Sequence, residues 1–237
     1  MKIPPTLPSR TEPSSRPLRV TLLTPSTILC LALILLIEAT GCTDIKRWGY
    51  EGFDRDEWQQ PEQVIKALEI QPGNQVADLG SGSGYFTFRL ADAVGPTGKV
   101  YAVDVDAEMN ADLAQRIRDK GYKNIDVILA HPSDPGLPDN GIDLIFSSNT
   151  YHHLEQRVQY LANLKHDLRA KGRIAIIDFN GKGWFPHLIG HYTPSEVIQR
   201  ELQEAGYTLE AELDFLPNQV FLIFQLNNQL PEPHNEG

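Results

Sequence analysis

From residue 61 to residue 226 the chain alternates between two rhythms of apolar and polar positions. Short β-branched runs at 75–79, 99–104, 125–129, 142–147 and 173–179 predict strands, and longer amphipathic stretches at 61–68, 84–94, 108–120 and 154–169 predict helices between them. Phe86, Leu90 and Val94, for example, share one helical face. Strands and helices taking turns in this way predict an α/β domain with a mainly parallel sheet. Pro61 opens the first helix, where a missing N–H costs nothing, and Gly121 stops the helix over 108–120. Pro132, Pro135 and Pro138 leave little room for a helix after the third strand, so that crossover is expected to be a loop. Thr193-Pro194-Ser195-Glu196 reads as a capped helix start, with Thr193 as the cap and Glu196 reaching back to it, for a helix running to Ala205. Two last alternating runs, 208–215 and 219–225, are joined only by Leu216-Pro217-Asn218, which suits an antiparallel pair.

The N-terminal residues follow a different pattern. After a stretch rich in Pro, Ser, Thr and Arg, ten uncharged residues run from Ile28 to Ile37, and Ala39-Thr40-Gly41 precede Cys42. A basic start, an apolar run and small residues have the layout of an export signal. Gly41-Cys42 resembles the site at which bacterial lipoproteins are cut and acylated, with Glu38 a departure; an uncleaved single-span anchor remains open. Residues 1–42 are therefore read as a signal or membrane anchor with possible lipidation at Cys42, 43–60 as a linker, 61–226 as the folded domain and 227–237 as a polar tail. Which side of the membrane the domain occupies is open, since four Lys/Arg precede the run and three follow within 43–58.

Composition sharpens this division. Residues 1–42 carry four Lys/Arg against two Glu, whereas the remainder carries 17 against 29, a net charge of -12. So acidic a body would repel a phosphate backbone, which argues against a nucleic acid partner. Both cysteines, Cys30 and Cys42, lie in the N-terminal segment, so the body holds no disulfide, zinc–cysteine site or cysteine nucleophile.

The chemistry centres on Val76-Ala77-Asp78-Leu79-Gly80-Ser81-Gly82-Ser83-Gly84-Tyr85-Phe86, a strand entering a glycine loop and then a helix. Gly80, Gly82 and Gly84 allow a sharp turn and bring a ligand against bare main chain. A dinucleotide fingerprint would need glycine at position 85, where Tyr85 stands. The Gly-x-Gly-x-Gly spacing with Asp78 two residues before it resembles the first motif of class I S-adenosylmethionine-dependent methyltransferases. An acid there suits a ligand that carries a sulfonium and an ammonium and no phosphate. The next strand ends in Asp104, 20 residues after Gly84, placed to accept hydrogen bonds from ribose hydroxyls, with Asp106 the second candidate.

The resemblance extends over most of residues 61–225. The strand 143–146 followed by Asn149-Thr150-Tyr151-His152-His153, and Arg169-Ala170-Lys171-Gly172-Arg173 before the fifth strand, look like the branch that includes ubiquinone and menaquinone biosynthesis methyltransferases. It implies a Rossmann-like, seven-stranded, mostly parallel sheet of order 3-2-1-4-5-7-6 with helices on both faces, and S-adenosyl-L-methionine as cofactor. Asp78, Gly80, Ser81, Gly82, Gly84, Asp104 and Asn149 are the candidate cofactor-binding residues. One departure is notable: the family often has an acid just after strand three for the adenine amine, and here Ala130-His131-Pro132 occupies that place, with Asp134 a possible substitute.

The end of strand four would face both donor and acceptor. His152, and second His153, are the candidate catalytic residues, able to take a proton as methyl transfer proceeds. The prolines of an Asn-Pro-Pro-Tyr motif are absent, which argues against a nucleobase acceptor, and the missing cysteines argue against arsenic. His187, His191, Trp184 and Phe185 follow strand five and could line an apolar acceptor pocket. No metal site is expected, since these histidines lack a recognised ligand spacing. The resemblance thus points to a methyltransferase for a small, possibly lipophilic acceptor, associated with a membrane through residues 1–42. A non-catalytic module keeping the fold and a nicotinamide-dependent oxidoreductase are the alternatives.

Overall fold

The computed structural model describes residues 55–182 and 192–227, both stretches lying within the unit Cys42–Gly237. Cys42 and the N-terminal segment, and Trp184, Phe185, His187 and His191, lie outside the described residues. Among the described residues no helix is long and apolar enough to cross a membrane.

Seven strands form one sheet: β1 (Gln75–Leu79), β2 (Lys99–Asp104), β3 (Ile125–Leu129), β4 (Ile142–Ser148), β5 (Leu168–Phe179), β6 (Tyr207–Leu213) and β7 (Gln219–Leu226). Their order is β3-β2-β1-β4-β5-β7-β6, parallel except that β7 runs antiparallel to both β5 and β6. The helices are α1 (Arg55–Gln59), α2 (Pro61–Ala67), α3 (Thr87–Val94), α4 (Ala107–Lys120), α5 (Arg157–Leu164) and α6 (Ser195–Glu204).

The period-two alternation of the strands divides the core into two layers. On one face Val76, Val100, Leu144, Phe146, Ile177 and Phe221 pack beneath residues of α2, α3 and α4, including Val64, Leu90 and Leu113. On the other, Ala77, Leu79, Val103, Ile145, Ile176 and Leu222 meet Leu161 and Leu164 of α5 and Ile198 and Leu202 of α6. Both faces of the central strands are covered, which is why these strands read as nearly continuous apolar runs.

Several expected boundaries shift for local reasons. The stretch read as a linker, 43–60, contains α1, whose Gln59 is fully buried and donates to Ser148 Oγ at 3.0 Å. The helix expected from residue 84 begins at Thr87, because Gly84 is held at φ +83° and its N–H closes a turn on Ser81 O at 2.8 Å. The helix expected over 154–169 covers only α5: Gln156 sits in the left-handed region before it, and Leu168 has already joined the sheet opposite Ile142. Lys171-Gly172, expected to lead into strand five, lie inside it at a bulge. Thr193 does not cap α6. Pro194 occupies the cap position, and Ser195 Oγ donates instead to Glu212 at 2.9 Å.

Candidate functional site

The strand order reverses between β1 and β4, and the connections that leave them diverge to opposite faces of the sheet. That opens a crevice at the carboxyl ends of the strands. A cleft of about 380 Å³ lies there, lined by Leu79, Gly80, Asp104, Asn149, His153 and Tyr160 among others. This volume falls in the range of about 300–1,000 Å³ typical of small-molecule sites.

One wall is shaped by a main-chain loop, of which Gly80 lines the cleft. Gly80, Gly82 and Gly84 have φ of +78°, +49° and +83°, a region that only glycine enters without strain. The N–H groups of Gly80 and Ser81 both donate to Val103 O, at 2.8 and 3.1 Å, which folds the loop over the end of β2. A Cβ at Gly80 would overlap the Thr150 hydroxyl arriving from β4, and one at Gly84 would overlap Leu113 of α4. Asp104 then closes the wall. Its Oδ2 accepts from the Gly82 N–H and its Oδ1 from the Asp106 N–H, both at 2.9 Å, so the carboxylate is held in one orientation facing the cleft. Asp106, the second candidate, is engaged elsewhere: it caps α4 by accepting from the N–H groups of Glu108 and Met109.

Of the remaining candidates on this side, Asp78, Ser81, Gly82 and Gly84 do not line the cleft. Asp78 follows Val76 in the strand alternation and so points away from the cleft, into the α3 side of the sheet. It is 3% exposed and accepts a 2.6 Å hydrogen bond from Thr87 Oγ1 at the start of α3. Burial pushes its carboxyl up to about 6, against the opposing pull of the Thr87 bond and Arg55. Its observed role is to tie β1 to α3 beneath the loop. Tyr85, at the position where a dinucleotide loop would carry glycine, donates its hydroxyl to Asp56, and the guanidinium groups of Arg55 and Arg89 lie 3.8 and 4.4 Å from its ring centroid. α1 therefore straps the loop from outside.

The opposite wall is built from side chains. Asn149 adopts φ +57°, its N–H donates to Ile177 O at 2.8 Å, and its Oδ1 accepts from Gln219 Nε2 at 2.6 Å. The short turn Tyr151–His153 follows. His153 lines the cleft; His152 sits behind it, ring centroids 4.1 Å apart. His152 Nδ1 is 2.7 Å from Asp178 Oδ1, the two side chains being 7% and 0% exposed. Asp178 Oδ2 is also buried and has no hydrogen-bond partner among the described residues. Trp58 of α1 stacks on the neighbouring Phe179, with centroids 5.9 Å apart.

At the far end of the cleft Ala130, His131 and Pro132 form the wall with Val105. Asp134, the suggested substitute for an adenine-binding acid, faces a separate recess and accepts from the Gly136 N–H. That recess holds the one group of described side chains with metal-ligand character: an atom each from Asp139, His166 and Asp167 lie within 4.8 Å of one another. His166 and Asp139 pair at the surface, more than half exposed, apart from the cleft.

The sheet order, the glycine loop and the carboxylate closing on it define a Rossmann-like fold of the class I S-adenosylmethionine-dependent methyltransferase type. Residues 70–212 match the family described as a methyltransferase domain, and the chain belongs to that family. It is 29% identical over 121 residues to a ubiquinone/menaquinone biosynthesis C-methyltransferase of Ectopseudomonas mendocina, covering 51% of this chain and 47% of that protein. It is 32% identical over 133 residues to the aklanonic acid methyltransferase of Streptomyces sp. strain C5, covering 55% and 60% respectively. The chain thus spans about half the length of the curated relatives it matches. Among solved structures, a SAM-dependent methyltransferase from Aquifex aeolicus superposes with a TM-score of 0.70 at 28% identity, covering 75% of this chain and 95% of that one.

Proposed function

We propose that this chain binds S-adenosyl-L-methionine in the cleft and transfers its methyl group to a small organic acceptor. The observation that carries this reading is the Gly82 N–H donating to Asp104, which fixes a carboxylate facing a cleft beside bare backbone at Gly80. The lining fits the cofactor: a carboxylate oxygen of Asp104 accepts from ribose hydroxyls, and Gly80, whose backbone is held against Thr150, adds no side chain to the cleft. When bound, the cofactor supplies an activated methyl group on a sulfonium.

The chain's own residues supply position and proton handling. Asp104 and Gly80 hold the nucleoside end, while Asn149, pinned by Gln219, shapes the middle of the cleft. Holding an acceptor atom in line with an activated methyl supplies much of the rate in such reactions. His153, on the cleft wall, is placed to receive the proton that the acceptor loses, and His152, anchored by Asp178, fixes the turn that carries it. The named relatives, one in quinone biosynthesis and one acting on aklanonic acid, support a small-molecule acceptor. Residues 1–42 would bring the domain to a membrane, and protease accessibility of the body in intact and permeabilised cells tests on which side it lies.

The direct test is calorimetry of the full chain with S-adenosylhomocysteine. Saturable binding supports the reading, and no heat at millimolar ligand overturns it.

A further inference from the structure

The turn that carries the two histidines is anchored in three directions. Tyr151–His153 is a single 3₁₀ turn, in which successive side chains point about 120° apart. His152 takes the direction of β5 and its Asp178, and His153 that of the cleft. Tyr151 takes the third, toward α6: it is 1% exposed, and its hydroxyl donates to Glu201 Oε2 at 2.6 Å. Two backbone hydrogen bonds of the turn, His153 N–H to Thr150 O and Leu154 N–H to Tyr151 O, are internal to it. Its orientation beyond Asn149 therefore depends on side chains.

Glu201 holds the far side of the turn as well. Arg157 donates to it with both arms of its fork, Nε to Oε2 at 2.7 Å and Nη2 to Oε1 at 2.9 Å, a bidentate pair whose side chains are 28% and 14% exposed. Arg157 is the first residue of α5, where the helix dipole disfavours a cation, and the carboxylate from α6 offsets that cost. The guanidinium also lies 5.4 Å from the Tyr151 ring centroid. Burial would raise the Glu201 carboxyl, yet the Arg157 and Tyr151 hydrogen bonds outweigh it and hold the group below the usual carboxylate range. One carboxylate thus ties residue 151 and residue 157 to α6, and His153 lies between these two fixed points.

We propose that Glu201 is the positioning residue of His153: by holding Tyr151 and Arg157 it fixes the turn that sets His153 on the cleft wall. Glu201 itself does not line the cleft and acts through the turn alone. The proton-accepting role of His153 rests on the reading of the cleft as a methyltransferase site, whereas its placement by Glu201 does not.

NMR of the full chain, isotope-labelled in its histidine rings, tests it, with the two signals assigned from His152→Gln and His153→Gln. The His152 and His153 rings, with centroids 4.1 Å apart, are expected to give a mutual cross-relaxation peak in the wild-type chain. Glu201→Ala is expected to lose that peak and to move the His153 signal toward that of histidine in an unfolded chain, with S-adenosylhomocysteine binding within about threefold of wild type. Glu201→Gln, whose amide oxygen still accepts from Tyr151, is expected to restore the peak. Tyr151→Phe keeps the buried ring, drops the hydroxyl and is expected to weaken the peak; it decides the matter should Glu201→Ala fail to fold. An unchanged His153 signal in the folded variant, or a wild-type chain without the peak, overturns the proposal. If S-adenosylhomocysteine does not bind the wild-type chain, the proton-accepting role falls with the cofactor reading, while the ring signals still decide what places His153.

Discussion

The two walls of the cleft are built by opposite means. Between β1 and β2 the geometry is made by main chain, with three glycines at positive φ, two N–H groups on Val103 O and one on Asp104. Beyond β4 it is made by pairs of side chains far apart in sequence, His152 with Asp178 and Asn149 with Gln219. A wall of backbone forbids added atoms and tolerates little else, and its ligand must be the same each time. A wall of paired side chains can be exchanged pair by pair, which is where an acceptor can differ between enzymes sharing one donor.

The sharpest way to break this contrast is Gly80→Ala. Its Cβ would overlap Thr150, the residue through which the second wall touches the first, and the backbone sits at φ +78°. Gly121, at φ +79° with open space around it, separates collision from strain. Gly121→Ala should cost about 1 kcal/mol, the price of a left-handed residue alone, and Gly80→Ala about 4 kcal/mol with loss of S-adenosylhomocysteine binding. Thermal melts and calorimetry of both variants check this, and equal costs would remove the claim that the loop is shaped by Thr150.

Asp78 tests whether the donor wall depends on charge beneath the loop. Its folded carboxyl titrates near 6 against 3.8 when unfolded, so the fold favours the protonated form. The sign follows: the folded state binds more protons between those values, and stability declines as pH rises from about 4 to about 6. The shift of roughly two units corresponds to about 3 kcal/mol above pH 6. Asp78→Asn should flatten that decline. Asp167, which burial also raises to about 6, stays in place and leaves a smaller slope of the same sign. Stability measured by urea unfolding at pH 4 and pH 7 decides it, and an unchanged slope in Asp78→Asn would refute the assignment.

The same contrast explains what could be read from the sequence. The succession of strands and helices and the glycine loop were legible because turns and alternation are local properties, and the Gly80–Gly84 spacing needs no partner to be recognised, whereas the order of the strands in the sheet came only with the family resemblance. Asp106 as a cap was equally local, three residues before the N–H it accepts, yet it competed with Asp104 for the ribose because both stand at one strand end. Asp178 went unnoticed. The pattern did hold a signal, a carboxylate at the end of Ile174-Ala175-Ile176-Ile177, inside an apolar run where only a paired acid belongs. Its partner lies 26 residues earlier and nothing in the spacing names it. α1 was missed for the converse reason: five residues make a helix too short for a period to show, and it is held by Gln59, Trp58 and Asp56 touching three distant segments.

Asp178→Ala sharpens the comparison from the side-chain wall. It removes the acceptor of a nearly buried imidazole and should cost about 2 kcal/mol, the penalty of leaving such a group unsatisfied. Donor binding should stay within about threefold of wild type, because none of the groups on the Gly80–Asp104 wall moves. If S-adenosylhomocysteine binding fell as far as in Gly80→Ala, the two walls would not be independent.

The smallest effect is expected at α1, which touches both walls. Its Gln59 and Trp58 are seated on Ser148 and Phe179, whereas its Asp56 reaches the donor side through Tyr85 and Arg89. The Arg89–Asp56 pair is exposed, with side chains 31% and 65% accessible, and solvent screens such pairs to at most about 1 kcal/mol. Asp56→Ala should therefore lower the melting temperature by only about 2–4 °C for a domain of this size. Its value lies in direction. Gln59 and Trp58 keep α1 on the β4–β5 side, so releasing Asp56 loosens the strap over Tyr85 alone. S-adenosylhomocysteine should then dissociate faster from the variant in stopped-flow measurements with little change in the melt. A variant that melts far earlier would mean that α1 holds the fold together, and one with unchanged dissociation would mean that the strap over Tyr85 does not steady the glycine loop.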